Sequence, residues 1–277
     1  MLVRCWGARG SIPVSGREYL RYGGDTPCIE VRTKDDSIVI IDAGSGIRRL
    51  GNRLVSEKRN DFTMFFTHAH WDHIMGFPFF KPIYRRGTRV SLFGCPFAQL
   101  SVRELISYIM SPPNFPVHFD NIVADIQYHE ACQATFQLGG LTIIPIPISH
   151  PNQGMGYRFE EDGKSFVFLT DNELTYRHPG GLAYEDYASF ALGADLLIHD
   201  AEYCPREYRM TRAWGHSVYT DALRLALDAG VRRLALYHHN QERTDDAVDE
   251  MVADCRRIAA GRPLECFALG QDMEIVV

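Results

Sequence analysis

Three histidines and an aspartate stand within six positions of one another, in the segment THAHWDH that follows the apolar run FTMFF. Residues two apart in an extended segment point the same way, so His68 and His70 can share one metal ion. Asp72 and His73, beyond a turn of the chain, can reach a neighbouring ion. Four ligand-type side chains exceed what one tetrahedral zinc takes from a single loop, so the spacing predicts two ions. The alternative is a solvated polar loop whose histidines have no ligand role.

Two ions need further ligands, and the chain places ligand-type residues at the ends of other apolar runs. IIPIPISH ends at His150, SFVFLTD ends at Asp171, and LALYHH ends at His238 and His239. Each residue alone is more typical of a polar strand end, but together with the first segment they predict a shared site. Asp42 follows the run IVII, and we interpret it either as a carboxylate that orients a ligating histidine or as a simple turn residue.

The composition bounds the class of protein. The chain has 277 residues, 45% of them hydrophobic and 23% charged, which suits one large α/β domain or two small ones. The net charge of −6 argues against a broad basic surface, so long nucleic acid is not an expected partner. Seven cysteines without a CxxC pair indicate free thiols. The sequence shows no signal-like or membrane-spanning apolar run, so we expect a cytoplasmic protein with no membrane partner.

Short β-branched runs come first along the chain, and strand–helix units follow them. KDDS at 34–37 and EEDGKS at 160–165 predict hairpin turns, while SVYTDALRLALDAG and TDDAVDEMVADCRRIAAG have helical spacing. This order indicates a single domain over 1–277, in which two sheets pack together between helices. Residues 82–135 lack the alternation of the rest and contain a predicted helix over 96–110 and a Pro-rich stretch. We predict that they form an insertion or a lid.

The segment THAHWDH resembles the HxHxDH signature of the metallo-β-lactamase superfamily. The order of Asp42, this segment, His150, Asp171 and His238 is similar to the five motifs of that superfamily, and the similarity spans nearly the whole chain. The resemblance implies an α/β fold, the four-layer αββα sandwich of the metallo-β-lactamase type. It also implies two divalent metal ions, with zinc as the first expectation and manganese or iron as alternatives.

Carried over by position, the resemblance implies a role for each ligand. The implied ligands of the first metal are three histidines: His68, His70 and His150. Those of the second metal are two histidines and a carboxylate: Asp72, His73 and His238. Asp171 is implied to bridge both ions. His239 competes with His238 for the last position, and the strand-then-histidine form LALYH, similar to that of ribonuclease Z, favours His238.

Other segments narrow the resemblance to one branch of the superfamily. GARGSIPVSG and YGGDTPCIEV resemble the N-terminus of the phosphodiesterase branch, which includes ribonuclease Z and the phosphoribosyl cyclic phosphodiesterases. IHDAEY and the later GHSVYTDALRLALDAGVRRLALYHH are also similar to ribonuclease Z, which implies that His216 gives a proton to the leaving alkoxide with help from Asp200. The alternative for His216 is a helix N-terminal residue with no chemistry. No long arm like the ribonuclease Z exosite is found, which favours a substrate smaller than transfer RNA.

These observations predict a dinuclear metal-dependent hydrolase that cleaves a phosphodiester with a hydroxide bridging the two ions. The expected substrate is a small phosphodiester: a cyclic nucleotide, a cyclic ribose phosphate or a short oligonucleotide. Asp72 is also expected to accept the proton of the attacking water. Arg9 either contacts phosphate as a bidentate donor or is a plain surface arginine.

Three other functions stay open at this point. The same site can cleave a thioester or another acyl substrate, a di-iron centre can reduce oxygen or nitric oxide, and the chain can be a non-catalytic metal-binding protein. The di-iron branch usually has a glutamate where this motif has its second histidine, and it needs a flavin module for which the chain has no length. The five phenylalanines of FPFFKPIY and SPPNFPVHF either stack a base or form a dimer contact, so a homodimer is a further expectation.

Overall fold

The structure, a computed structural model, describes residues 1–95, 101–129 and 135–277. The strands in these ranges are β1 Leu2–Gly7, β2 Cys28–Arg32, β3 Ile38–Ile41, β4 Asp61–Phe65, β5 Arg89–Phe93, β6 Asp125–His129, β7 Phe136–Leu138, β8 Leu141–Pro147, β9 Met155–Glu161, β10 Lys164–Leu169, β11 Leu196–Asp200, β12 Arg233–Tyr237, β13 Glu265–Ala268 and β14 Glu274–Val276. The α-helices are α1 Ile47–Ser56, α2 Trp71–Ile74, α3 Val102–Ile109, α4 Tyr184–Phe190, α5 Pro205–Thr211, α6 Tyr219–Asp228 and α7 Asp245–Ile258.

The strands form two mixed sheets that are built alike. The first sheet has the order β14-β1-β2-β3-β4-β5-β6 and the second has the order β13-β12-β11-β10-β9-β8-β7. In the first sheet the pairs from β14 to β3 are antiparallel and those from β3 to β6 are parallel. In the second sheet the pairs from β7 to β10 are antiparallel and those from β10 to β13 are parallel.

Alternation of apolar residues along the strands produces four layers. In β3, Val39 and Ile41 belong to the core between the sheets, while Ile38 and Ile40 belong to a second core under α1 and α3. The outer face of the second sheet is covered in the same way by α4, α6 and α7. Both faces of each sheet are therefore buried, as sheets with parallel strands require. None of the helices formed by the described residues combines the length and apolar character that a membrane span needs.

Several local predictions are confirmed. The hairpin turns at 34–37 and 160–165 join the antiparallel pairs β2–β3 and β9–β10. The predicted C-terminal helices are α6 and α7, and α7 is capped by Thr244, whose side chain accepts a hydrogen bond from the backbone N–H of Ala247. Cys5, Cys28, Cys204, Cys255 and Cys266 are free thiols, and Cys132 lies outside the described ranges.

The stretch 82–135 contributes to the first sheet. Its described residues include β5 and β6, which continue the parallel half of that sheet, and α3, which lies within the helix predicted over 96–110. Residues 96–100 of that predicted helix lie outside the described residues. The role of this stretch as a lid stays a prediction.

The directions of the strands bring the predicted ligand residues to one edge of the molecule. In the second sheet β8, β10, β11 and β12 run in the same direction, so the segments after them begin at one edge. In the first sheet β3 and β4 are parallel and also end together. Asp42, the THAHWDH segment and the later ligand-type residues all follow these strand ends, which is where open α/β sheets bind ligands.

Candidate metal centre

The predicted ligands converge on two adjoining groups. In each group every residue offers one ligand atom, and these atoms lie within 4.8 Å of one another. The first group contains His68, His70, His150 and Asp171. The second group contains Asp72, His73 and His238. A third combination of the same kind joins Asp171, His216 and His238.

The first group has lone pairs without a protein partner. Among the described residues, the buried Nε2 of His68 and both buried ring nitrogens of His150 have no hydrogen-bond partner. Nε2 of His70 lies 2.7 Å from the side-chain nitrogen of Asn152. Buried polar atoms are nearly always satisfied, so unpaired imidazole nitrogens that face one another fit a cation bound between them.

The second group is held by carboxylates behind its rings. Nδ1 of His73 lies 2.8 Å from Asp42, and Nδ1 of His238 lies 2.9 Å from Glu202. Nδ1 of each ring thus donates to a carboxylate, which leaves Nε2 of both rings for the centre of the group. Oδ2 of Asp72 lies 3.0 Å from Nε2 of His238. This is the carboxylate–histidine arrangement that orients metal-ligating imidazoles in proteins.

Asp171 faces both groups at once. Its Oδ2 lies 3.5 Å from Nε2 of His68, while its Oδ1 lies 3.3 Å from Nε2 of His73 and 3.4 Å from Nε2 of His238. One carboxylate with an oxygen toward each group is what a bridging ligand requires. The bridging role of Asp171 stays a proposal. The donor set of imidazoles and carboxylates fits zinc, manganese or iron.

Three of these strand-end residues have a left-handed backbone. Asp42, Asp171 and His238 have φ angles of +62°, +51° and +56°. Such a conformation costs a residue other than glycine about 1–2 kcal/mol. Because the sharp turn redirects each side chain at the point where its strand ends, this local cost positions the side chain in the cluster, as strain at functional sites often does.

The histidines of the first group are neutral. Burial lowers the pKa of His68 and of His70, and it lowers the pKa of His150 to about 2. Asp171 is the one carboxylate in this group, and its charge does not outweigh burial for these rings. Neutral imidazoles are the form that binds metals.

The pKa values of the histidines in the second group are shifted in the opposite direction. Burial lowers the pKa of His73 and His238 as well, but the charges of Asp72 and Asp171 outweigh it and raise both values well above the ordinary range. Burial by itself raises the pKa of the two aspartates, yet the neighbouring histidines hold both values well below the usual range. The second group therefore behaves as a set of buried ion pairs.

His216 lies beside the second group and is held by two carboxylates. Its Nδ1 is 3.0 Å from Asp200 and 3.3 Å from Glu202, and its ring stacks on that of His238 with centroids 4.9 Å apart. Burial lowers the pKa of His216, but the charges of Glu202 and Asp200 outweigh burial and raise it to about 9. A raised pKa favours the protonated ring, which is the form that can donate a proton.

The two adjacent histidines have different surroundings. His238 points into the second group, whereas His239 turns away and its Nε2 donates to the carbonyl of Leu269 at 2.9 Å. Gly10 packs against His238 so closely that an added Cβ would lie 2.5 Å from Nδ1 of the ring. The predicted preference for His238 agrees with this placement.

The phosphate contact suggested for Arg9 is wrong, because its guanidinium is fully buried. It donates to the backbone carbonyls of Gly23, Asn240 and Arg243 and so ties three loops together. The surface alternative for Arg9 is equally wrong.

Two contributors to the site were not predicted from the sequence. The backbone N–H of Ser11, in the same GARGS segment as Arg9, donates to Oδ2 of Asp72 at 2.9 Å. Glu202, the carboxylate that orients His238, was also missed. Its sequence signal is the spacing of IHDAEY, in which Glu202 stands two residues after Asp200 and can point the same way.

The sequence matches the family described as Beta-lactamase superfamily domain over residues 38–239, which is more than half of the chain. A curated relative, ribonuclease Z of Picrophilus torridus, is 22% identical over 280 residues, and the match covers 86% of this chain and 85% of that protein. A solved structure of a diphosphatase from the PhnP family has a TM-score of 0.71 at 18% identity, covering 100% of this chain and 97% of that one. The short form of human tRNase Z has a TM-score of 0.69 at 18% identity, covering 100% of this chain and 99% of that one.

Two helix-flanked mixed sheets and the likeness to these structures confirm the predicted four-layer sandwich of the metallo-β-lactamase type. The resemblance to this family is also confirmed by the match over residues 38–239. The chain belongs to the beta-lactamase superfamily.

Proposed function

We propose that this chain is a dinuclear metal-dependent hydrolase of phosphodiesters. The observation that carries the proposal is the convergence of two adjoining ligand groups beside His216, whose Nδ1 lies 3.0 Å from Asp200. The first group has buried ring nitrogens on His68 and His150 without a hydrogen-bond partner among the described residues. The relatives support the reaction class, since the matched curated proteins are named ribonuclease Z.

The two groups would hold one divalent ion each, with Asp171 between them. When bound, such ions lower the pKa of a water molecule toward neutrality and neutralise charge on phosphoryl oxygens. The histidines of the first group supply neutral nitrogen ligands. Asp42 and Glu202 fix the ring orientation of the two histidines in the second group.

The chain's own groups also move the protons of the reaction. His216 is placed to give a proton to the leaving oxygen, and Asp200 holds its Nδ1 so that Nε2 faces away from that carboxylate. Asp72 is placed to accept a proton from the attacking water. An alkoxide is a poor leaving group without a proton, so this assignment fits a substrate that releases a sugar hydroxyl.

The substrate class that we propose is broader than the one predicted from the sequence. The expectation that long nucleic acid is unlikely is not supported, because matched proteins are named ribonuclease Z and tRNase Z. Of the five phenylalanines considered for stacking or dimerisation, Phe77, Phe80 and Phe119 are buried in the core, while Phe79 is 53% exposed. The proposed substrates are therefore a cyclic nucleotide, a cyclic ribose phosphate or an oligonucleotide, and a homodimer stays a prediction.

The test is a panel of esters on metal-loaded protein. Bis-p-nitrophenyl phosphate, a 2′,3′-cyclic nucleotide, a dinucleotide and an RNA with a 3′ extension would be compared with p-nitrophenyl acetate and a thioester. We expect cleavage of phosphodiesters that depends on added zinc, manganese or iron and is lost in the double variant His68→Ala/His150→Ala. Cleavage of the acyl substrates alone would contradict the proposal, as would equal activity of wild type and the double variant.

A further inference from the structure

Glu173 is a buried carboxylate that the proposed reaction does not use. It lies two residues after Asp171 and is 1% exposed. Four groups donate hydrogen bonds to it: Nε2 of His178 at 2.8 Å, the hydroxyl of Tyr208 at 2.6 Å, and the backbone N–H groups of Ala213 and Gly215, both at 2.8 Å. Its partners come from a loop, a helix and the segment just before His216.

The segment bound by Glu173 is packed against the metal centre. Gly215 has a φ of +97°, and a Cβ added to it would lie 2.3 Å from the ring of His150. On the other side of His216, Ser217 donates from its hydroxyl to the carbonyl of Asn172 at 2.6 Å. The chain is thus held by hydrogen bonds on both sides of His216, and Glu173 accepts those on the N-terminal side.

We propose that Glu173 is a positioning residue for proton transfer, which holds the segment 213–216 so that His216 faces the leaving oxygen. This inference rests on the proposed function. Glu173 does not touch the ligand groups itself. It acts through the two backbone N–H groups, whose positions fix where the chain delivers the imidazole.

The proposal requires a carboxylate rather than any polar side chain. Oε1 accepts from Ala213 and Tyr208, while Oε2 accepts from Gly215 and His178. A glutamine has one oxygen and an amide NH₂, which cannot accept a hydrogen bond. Glu173→Gln therefore leaves one of the two backbone N–H groups facing a donor, and that end of the segment must move.

The experiment compares two phosphodiesters that differ in their need for a proton. A p-nitrophenolate leaves without a proton donor, whereas the sugar alkoxide of a dinucleotide requires one. We expect Glu173→Gln to lower kcat on the dinucleotide by about 10-fold to 100-fold, less than the full 10²–10⁴-fold contribution of a general acid. Its kcat on bis-p-nitrophenyl phosphate, its KM values and its metal content should stay close to wild type.

A second readout does not depend on activity. Hydrogen exchange at the amide of Ala213 or of Gly215 should lose protection in Glu173→Gln, because the acceptor of one of these two N–H groups is replaced by a donor. The matched control is Glu161→Gln, which alters another buried glutamate that accepts a backbone N–H, that of Lys34, at the far end of β9. This control should change neither the substrate ratio nor exchange at 213 and 215.

Each outcome decides something. An equal loss on both esters, or none on either, overturns the positioning role. If Glu173→Gln does not fold, Glu173→Asp, which keeps the charge but shortens the side chain, must show the same substrate selectivity, and an unselective loss again overturns the inference. A double variant with His216→Ala should be no slower on the dinucleotide than His216→Ala alone. Wild-type protein that cleaves neither ester contradicts the proposed function instead.

Discussion

The two halves of the candidate metal centre contain the same side chain with its pKa shifted in opposite directions. His68, His70 and His150 face one carboxylate among three rings, and burial lowers their pKa values. His73 and His238 each have a carboxylate behind the ring and others in front, and these charges raise both pKa values well above the ordinary range.

The number of facing carboxylates accounts for the difference between the two groups. Burial acts in the same direction on all five rings, yet the outcome divides them into two classes. The first group is therefore ready to accept a cation, whereas the second must exchange protons for one. Four predictions test how the two groups differ.

The largest expected effect comes from the carboxylate that both halves share. Asp171→Ala should lose metal and activity together, because it removes both carboxylate oxygens, one facing each group. Elemental analysis of the purified variant and a phosphodiesterase assay measure both. Retention of two ions per chain would refute its bridging role.

The next effect separates proton donation from metal binding. His216→Ala should slow turnover by roughly 10²–10⁴-fold, the usual contribution of a general acid, while both ions remain bound. Steady-state kinetics on a dinucleotide and metal analysis of the same sample give the two values. A rate equal to that of wild type would remove His216 from the mechanism.

A smaller effect should fall on one half alone. Asp42→Asn removes the charge behind His73, and we expect the affinity for the second ion to fall about 10-fold to 100-fold, as for other carboxylates behind ligating histidines. Titration against a chelator of known affinity resolves the two ions. The first ion should bind as in wild type, and equal weakening of both would show that the two halves are not independent.

The subtlest prediction concerns protons. At pH 7 the raised pKa values of His73 and His238 mean that both rings must release a proton to bind a metal, so affinity for the second ion rises with pH until those pKa values are passed. The lowered values in the first group give no such dependence near neutrality. Calorimetry in buffers of different ionisation enthalpy should show more protons released with the second ion than with the first. Equal release would contradict the contrast.

Most of the candidate ligands could be predicted from the sequence because they directly follow apolar strands. The prediction that ligand-type residues at the ends of apolar runs share one site places His150, Asp171 and His238 beside the THAHWDH segment, and the structure brings them together. The fold class, the family and the class of enzyme were predicted from the resemblance of these motifs to the metallo-β-lactamase superfamily and are confirmed.

The residues whose roles were not predicted from the sequence have a common physical feature. Arg9 and Ser11 stand in one short loop, and no local pattern tells which of them points inward or whether a backbone N–H rather than a side chain does the binding. Glu202 and Glu173 act only through groups distant in the sequence. Their roles depend on register between elements, which hydrophobic periodicity does not encode.

The most direct test of the account is the anomalous scattering of crystals grown with zinc and measured on both sides of its absorption edge. We expect two peaks per chain, one enclosed by His68, His70 and His150 and the other by Asp72, His73 and His238, with Asp171 between them. A single peak, or two peaks away from these side chains, would contradict the central claim that the two groups hold a pair of ions.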